Sequence, residues 1–366
     1  MPFSWLKKVG VYSPYLDTIG GGERYALTFA DCFSSFCSVD LLLDSHLSKL
    51  NKEELAKVLA GRLGIDIHKI GLVDAPLGAG TSFFERFFFL KRYQVLFYLT
   101  DGSLFANPTK DGFLHFQVPY QKKTPHSLLW RKKLNSWQHK ICNSKFTKKI
   151  IDQVWEIDSE VVYPPVDTQA FYQKEKENII ISVGRFFDFL HAKRHDVMIE
   201  AFREMCQRGV VDWQLVLIGG SRPEDAEQIK RLQEMSQGYP ISIIQNPNYS
   251  TLREWYARSK IYWHAAGFGV DEERHPEQVE HFGIATVEAM ASGCVPVVIN
   301  MGGQPEIVEH DKSGYLWDTV EELMSLTKKL IEWNTARENM AHGAVERSRV
   351  FSKERFCQQI TKLLHE

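Results

Sequence analysis

Glu280-His281-Phe282-Gly283-Ile284-Ala285-Thr286-Val287-Glu288-Ala289-Met290-Ala291-Ser292-Gly293 is the stretch on which the reading of this chain turns. Two carboxylates with seven residues between them bracket a Phe-Gly pair. A small-residue helix and an apolar strand, Val295 to Asn300, come next, and then Gly302-Gly303 and Glu306. The order is loop, helix, strand, Gly-rich turn, helix start, the signature of an α/β unit. Gly283 is a poor helix interior residue, so the helix is expected to begin there, with Glu280 in the preceding loop. A helix N-terminus offers unpaired N–H groups and partial positive charge, so Phe282, Gly283, Ile284 and Ala285 form a stretch suited to a diphosphate. Glu288, one turn further in, can accept both hydroxyls of a ribose.

A pair of carboxylates also suggests the acid and base of a glycosidase. Eight helical steps of roughly 1.5 Å would separate Glu280 from Glu288 by about 12 Å, beyond the roughly 5 to 9.5 Å that such pairs need. A solvated loop Glu and a helix-surface Glu would explain the two carboxylates alone, but not the Phe-Gly between them or the Gly-Gly turn after the strand.

Strand and helix signals alternate outward from this block in both directions, which favours parallel sheets covered by helices. Strands are expected at Lys8 to Tyr12, Val39 to Leu43, Val95 to Leu99, Leu114 to Val118 and Lys140 to Cys142 in the first half. In the second half they are expected at Ile179 to Val183, Gln214 to Ile218, Ile241 to Ile244, Ile261 to His264 and Val295 to Ile299. Tyr163-Pro164-Pro165 cannot continue a helix or a central strand, so the division falls there, giving domains over 1–166 and 167–350. The chain has 366 residues, enough for two domains, and its 44% hydrophobic and 25% charged content is that of a globular protein. A net charge of −2 gives no global attraction to nucleic acid. The six cysteines form no C-x-x-C pair, so the expectation is reduced, buried thiols in a cytoplasmic protein. No signal-peptide core is legible, because Val9 to Tyr12 already reads as a strand with the Gly-rich turn soon after, and no bilayer-spanning stretch is expected, because the uncharged run Met235 to Leu252 is interrupted by Gly, Pro and Asn.

Further segments fall in a telling order: Gly20-Gly21-Gly22-Glu23-Arg24 after the first strand, Cys142-Asn143-Ser144-Lys145-Phe146-Thr147, Val162-Tyr163-Pro164-Pro165-Val166-Asp167, Ser182-Val183-Gly184-Arg185-Phe186, and Lys193 before a helix. Together with the block above they resemble the retaining family-4 glycosyltransferases and their Glu, seven residues, Glu signature. The resemblance implies the GT-B fold, an α/β architecture of two doubly wound Rossmann-like domains facing across a cleft. It also implies that the helix from about 351 returns to the first domain.

By the same resemblance the protein moves a hexose from a nucleoside-diphosphate sugar, GDP-mannose or a UDP-hexose, to a hydroxyl on a glycan or lipid-linked acceptor. Arg185 and Lys193 would hold the leaving diphosphate and Glu280 the donor sugar, with His115 lining the sugar site. Gly21 and Gly22 would lie against the diphosphate or the acceptor. The Glu-His-Phe-Gly-Ile string looks most like mannosyltransferases of lipid-linked glycans. The sequence contains no D-x-D, so no bridging metal or other cofactor is expected. A nucleotide-sugar 2-epimerase and a non-catalytic partner subunit share the fold and stand as alternatives; retention of both Glu, Arg185 and Lys193 argues against the second.

Two features fall outside the pattern. The acidic loop Gly267 to Val279 is longer than the usual connection, and is either a solvated run or a lid near the acceptor. Phe83 to Arg92 and Lys122 to Lys133 mix aromatics with cations, as a peripheral contact with the inner face of a membrane requires, though core-facing aromatics with solvated charges would read the same way.

Overall fold

The computed structural model describes residues 6–18, 20–63, 67–78, 80–121, 127–187 and 193–365. The chain divides into two compact units, Met1–Pro165 with Lys353–Glu366, and Val166–Ser352.

The first unit is built on seven parallel strands: β1 (Lys8–Tyr12), β2 (Ser38–Leu43), β3 (Ile70–Asp74), β4 (Val95–Leu99), β5 (Asp111–Phe116), β6 (His139–Cys142) and β7 (Glu160–Val161), in the order β3-β2-β1-β4-β5-β6-β7. Val9 pairs with Val39 on one side and Val95 on the other. Val9, Val11, Leu41 and Phe97 face a core completed by Tyr25, Phe29 and Phe33 of the Gly21–Ser34 helix. Tyr12, Leu42, Leu96 and Tyr98 face an opposite core with Trp137 and Trp155. Burial on both faces is why these strands read as nearly unbroken apolar runs.

The second unit carries six parallel strands: β8 (Glu177–Val183), β9 (Gln214–Gly219), β10 (Ile241–Gln245), β11 (Ser259–His264), β12 (Val295–Ile299) and β13 (Tyr315–Trp317), in the order β10-β9-β8-β11-β12-β13. Ile180, Leu215, Leu217, Trp263 and Val297 pack against Met198, Phe202 and Leu323 from covering helices. Each unit is thus a doubly wound sheet whose strand order reverses once, next to β1 in the first and next to β8 in the second.

The elements differ from expectation where the pattern is short. β5 runs Asp111–Phe116 rather than 114–118, and β3, β7 and β13 were not anticipated. β7 and β13 are edge strands of two and three residues, below the length at which alternation is readable, and β3 is an edge strand whose pattern is interrupted by Gly71.

The expectation of six reduced thiols is corrected. Cys32 and Cys357 form a disulfide with Cα atoms 5.6 Å apart, and Cys37, Cys142, Cys206 and Cys294 are free. The partners lie 325 residues apart, so no spacing rule could pair them. They meet because the Lys353–Leu363 helix packs in the first unit, where Phe356 meets the Tyr25 ring edge-on at 4.8 Å and Lys353 is ion-paired with Asp31. Among the described residues no helix is long and apolar enough to cross a membrane.

Candidate active site

Reversal of strand order between β8 and β11 leaves a crevice beyond their carboxyl ends, the usual ligand position in such sheets. β8 ends at Val183 and passes into Gly184-Arg185; β11 ends at His264. Two glycines shape this edge. A Cβ on Gly219 would sit 1.8 Å from the Gly184 carbonyl oxygen, and one on Gly184 would sit 2.6 Å from Cγ of Lys193. The stem of Lys193 therefore crosses bare backbone, and its ammonium is ion-paired with Oε2 of Glu280. Nε2 of His264 lies 3.4 Å from the same oxygen. Lys193 and Glu280 side chains are each 21% exposed, so the pair is partly desolvated yet open on one side.

Burial alone would push the Glu280 carboxyl up. The Lys193 ammonium and the His264 ring outweigh it and hold the group well below the ordinary range, so it is a carboxylate at neutral pH. Burial pushes His264 down, and the Lys193 charge adds to this, although Glu280 pulls the other way. The ring is therefore neutral near pH 7, and its Nε2–H donates to the carboxylate. His264 Nδ1 is buried without a hydrogen-bond partner among the described residues.

The Glu280 loop is held by the glycines that made it recognisable. Gly283 has φ +117°, and a Cβ there would meet Nε2 of Gln304 at 2.2 Å. Gln304 is a bracket: its Nε2–H donates to the Phe282 carbonyl at 3.4 Å, and its Oε1 accepts from the Thr286 hydroxyl at 2.9 Å. The Gly303 N–H donates to the Glu280 carbonyl at 2.8 Å, and a Cβ on Gly302 would lie 2.3 Å from that oxygen. The Phe-Gly pair and the Gly-Gly turn are thus two sides of one backbone contact. The Ile284–Ala291 helix follows with Gly283 as N-cap and no side-chain cap, while Ile284 and Ala285 are half-buried.

Phe282 is packed inside the unit, edge-on to Phe351 at 5.4 Å. Glu288 is buried and accepts a hydrogen bond from the Tyr256 hydroxyl at 3.3 Å. Arg185 is exposed, with its guanidinium 5.7 Å from the Phe187 ring centre. Arg194, the neighbouring cation, is engaged structurally: it chelates Asp196 with two contacts of 3.1 Å and donates to the Phe268 carbonyl. The acidic loop is anchored as well as solvated. Glu272 accepts the Gly302 N–H at 3.0 Å, whereas Asp271, Glu273, Arg274 and His275 are exposed.

Arg185, Lys193, Glu280 and Glu288 all lie in the second unit; Gly21, Gly22 and His115 lie in the first. There the Gly-rich turn follows β1, and Glu23 closes it by accepting from the Gly20 N–H at 2.7 Å and the Thr18 hydroxyl at 3.1 Å. Gly22 packs closely on the sheet, since a Cβ would lie 2.8 Å from Cδ1 of Leu99 on β4. His115 is wholly buried, its ring stacked on Tyr25 at 3.9 Å and its Nε2 2.8 Å from Gln117. Burial brings its pKa down to about 4.

His264 is the site residue that sequence reasoning passed over. It was visible as the polar last residue of an otherwise apolar strand, but that pattern gains meaning only once β11 is known to border the reversal. A cavity of about 570 Å³ lined by Asn178, Trp213, Gln214 and Pro240 lies at the opposite, amino-terminal ends of β8 and β9, away from these groups. Among the described residues no group of three or more His, Cys, Asp or Glu side chains is arranged to hold a metal ion.

Residues 167–349 match the family described as Glycosyl transferases group 1. The chain is 25% identical over 249 residues to the GDP-Man:Man(3)GlcNAc(2)-PP-Dol alpha-1,2-mannosyltransferase of Dictyostelium discoideum, covering 61% of this chain and 46% of that protein. It is 32% identical over 203 residues to the Homo sapiens protein of the same description, covering 49% of this chain and 38% of that one. The chain thus spans less than half the length of these curated relatives. Among solved structures, a glycosyltransferase from Rickettsia africae superposes with a TM-score of 0.76 at 15% identity, covering 98% of both chains. Anabaena HepE in complex with UDP gives 0.73 at 16%, covering 98% of this chain and 100% of that one. These likenesses establish the GT-B fold of two Rossmann-like domains.

Proposed function

The chain belongs to the group 1 glycosyl transferases, and within that family we propose that it is a retaining, metal-independent hexosyltransferase that uses a nucleoside-diphosphate sugar. The observation that carries the proposal is the meeting of Lys193, Glu280 and His264 at the strand-order reversal of the second sheet, with Arg185 two residues past the end of β8 and the uncapped end of the Ile284–Ala291 helix three residues past Glu280. Breaking the bond from sugar to diphosphate leaves charge on the distal phosphate, and stabilisation must come from fixed cations and backbone dipoles. Arg185 supplies a fork that matches phosphate oxygens. Lys193 has three donors, one committed to Glu280, so it can hold phosphate and carboxylate together.

Glu280, kept ionised by Lys193, accepts from the donor sugar's hydroxyls, and Glu288 takes the ribose. The acceptor hydroxyl attacks the anomeric carbon on the face from which the phosphate departs, and the departing phosphate oxygen receives the acceptor's proton. The curated relatives named for GDP-Man favour GDP-mannose as donor and a lipid-linked glycan as acceptor. The test is thermal unfolding against a panel of GDP-, UDP- and ADP-sugars in EDTA, followed by transfer assays with the best ligand. A donor present at 100 times its Kd adds roughly 2.7 kcal/mol of stability. A panel in which no nucleoside diphosphate or its sugar shifts the transition would overturn the proposal.

A further inference from the structure

The Phe83–Leu90 helix has the sequence FFERFFFL, yet only Leu90 of its side chains is fully buried. Phe83, Phe84 and Phe88 are 55%, 69% and 65% exposed. At the start of the Leu128–Asn135 helix, Leu128 and Leu129 are 73% and 64% exposed. The two helices meet around one 220 Å³ recess, lined by Phe83, Arg86 and Phe87 from the first, Lys133 from the second, and Phe105 between them. The Arg86 guanidinium lies 5.3 Å from the Phe105 ring centre, and the Phe105 carbonyl accepts from Trp137 just past the second helix. Five large apolar side chains are therefore exposed on two helices that share this recess, where a folded protein ordinarily scatters such residues singly. Lys122 to His126, part of the cationic stretch noted in the sequence, lie outside the described residues.

We infer that this face seats the protein on an anionic lipid surface. Across the two segments, 83–92 and 127–136, there are six cations and one carboxylate, although the whole chain carries a net charge of −2. Some cations serve the fold, as Arg131 does in its pair with Glu156 at 2.9 Å. Lys91, Arg92 and Lys132 stand exposed and Lys133 half-exposed at the ends of the helices. Exposed aromatic tips on a helix with cations at its end match the chemistry of a headgroup layer: rings enter the acyl boundary and cations meet lipid phosphates. A docked protein helix would call instead for an apolar groove, and the recess here is too small to receive one. The inference is compatible with the proposed lipid-linked acceptor but does not depend on it, because lipid binding is read without donor or acceptor.

The experiment is co-sedimentation of the full chain with phosphatidylcholine vesicles, with and without phosphatidylglycerol. The wild type should pellet only with the anionic vesicles and be released by salt, since the surface attraction is confined to about 8 Å at physiological ionic strength. Lys132→Gln and Lys91→Gln should each reduce the partition about fivefold, and Phe84→Ala with Phe88→Ala at least roughly tenfold. These side chains are exposed, so an unchanged thermal midpoint verifies folding. Wild type that stays in the supernatant with anionic vesicles, or variants that bind as it does, would overturn the inference. It would equally fall if the Phe84 and Phe88 substitutions changed the oligomeric state in solution and left vesicle binding intact, for the face would then be a protein contact.

Discussion

The cation proposed for the leaving group is ion-paired with the carboxylate proposed for the sugar. Glu280→Gln should therefore separate two properties that a simple loss of binding would move together. The amide is nearly isosteric and can still meet Lys193 and His264, but it removes one negative charge from beside the diphosphate position. Oxygens that both contact one ammonium sit roughly 5 Å apart. At an effective dielectric constant of about 40, their repulsion is about 1.7 kcal/mol per unit charge. Free nucleoside diphosphate should thus bind roughly 15- to 20-fold tighter to the variant, which calorimetry at fixed ionic strength measures directly. Turnover should fall at the same time, since the carboxylate is assigned to hydroxyls near the carbon where charge develops, and an interaction made in the transition state appears in kcat. A variant that binds nucleoside diphosphate more weakly than wild type, or one that retains full kcat, would refute the arrangement of Lys193 between carboxylate and phosphate.

Arg185→Ala should weaken diphosphate binding by roughly 10- to 150-fold, the range of a charge-assisted contact, with wild-type affinity in titration as the contrary result. Glu288→Ala should chiefly raise the donor KM, because the ribose does not react; an unchanged KM would detach Glu288 from the donor. Alkylation in denaturant without reductant should modify four thiols per chain, and six after reduction; six without reduction would remove the Cys32–Cys357 bridge. His115 is held neutral, with its pKa lowered to about 4, so the unfolded chain takes up its proton first as pH falls below about 6.5. Stability of the first unit should decline between about pH 6.5 and 4, by up to about 3 kcal/mol from this group, and His115→Gln should flatten that part of a urea-denaturation pH series.

The Glu280–Gly293 block and the segments around Arg185 and Lys193 were legible because their chemistry is local. Glycines at 184, 283, 302 and 303 mark places where backbone or a crossing side chain leaves no room for a Cβ, and that constraint is written one residue at a time. Long apolar runs such as Ile179 to Val183 likewise announced buried parallel strands. Strand order was not written in this way. Whether β11 or β9 borders the reversal depends on crossover connections over dozens of residues, so His264 looked like one histidine among thirteen until the sheet placed it against Glu280. The direction of the aromatic helix was equally undetermined, because FFERFFFL satisfies a core face as well as an exposed one, and only the surrounding packing left Phe83, Phe84 and Phe88 outside. The same holds for Cys32 and Cys357. The sequence fixes the chemistry of each segment, but which segments become neighbours is decided by the collective burial of two sheets, where contacts far apart in the chain outweigh any local preference.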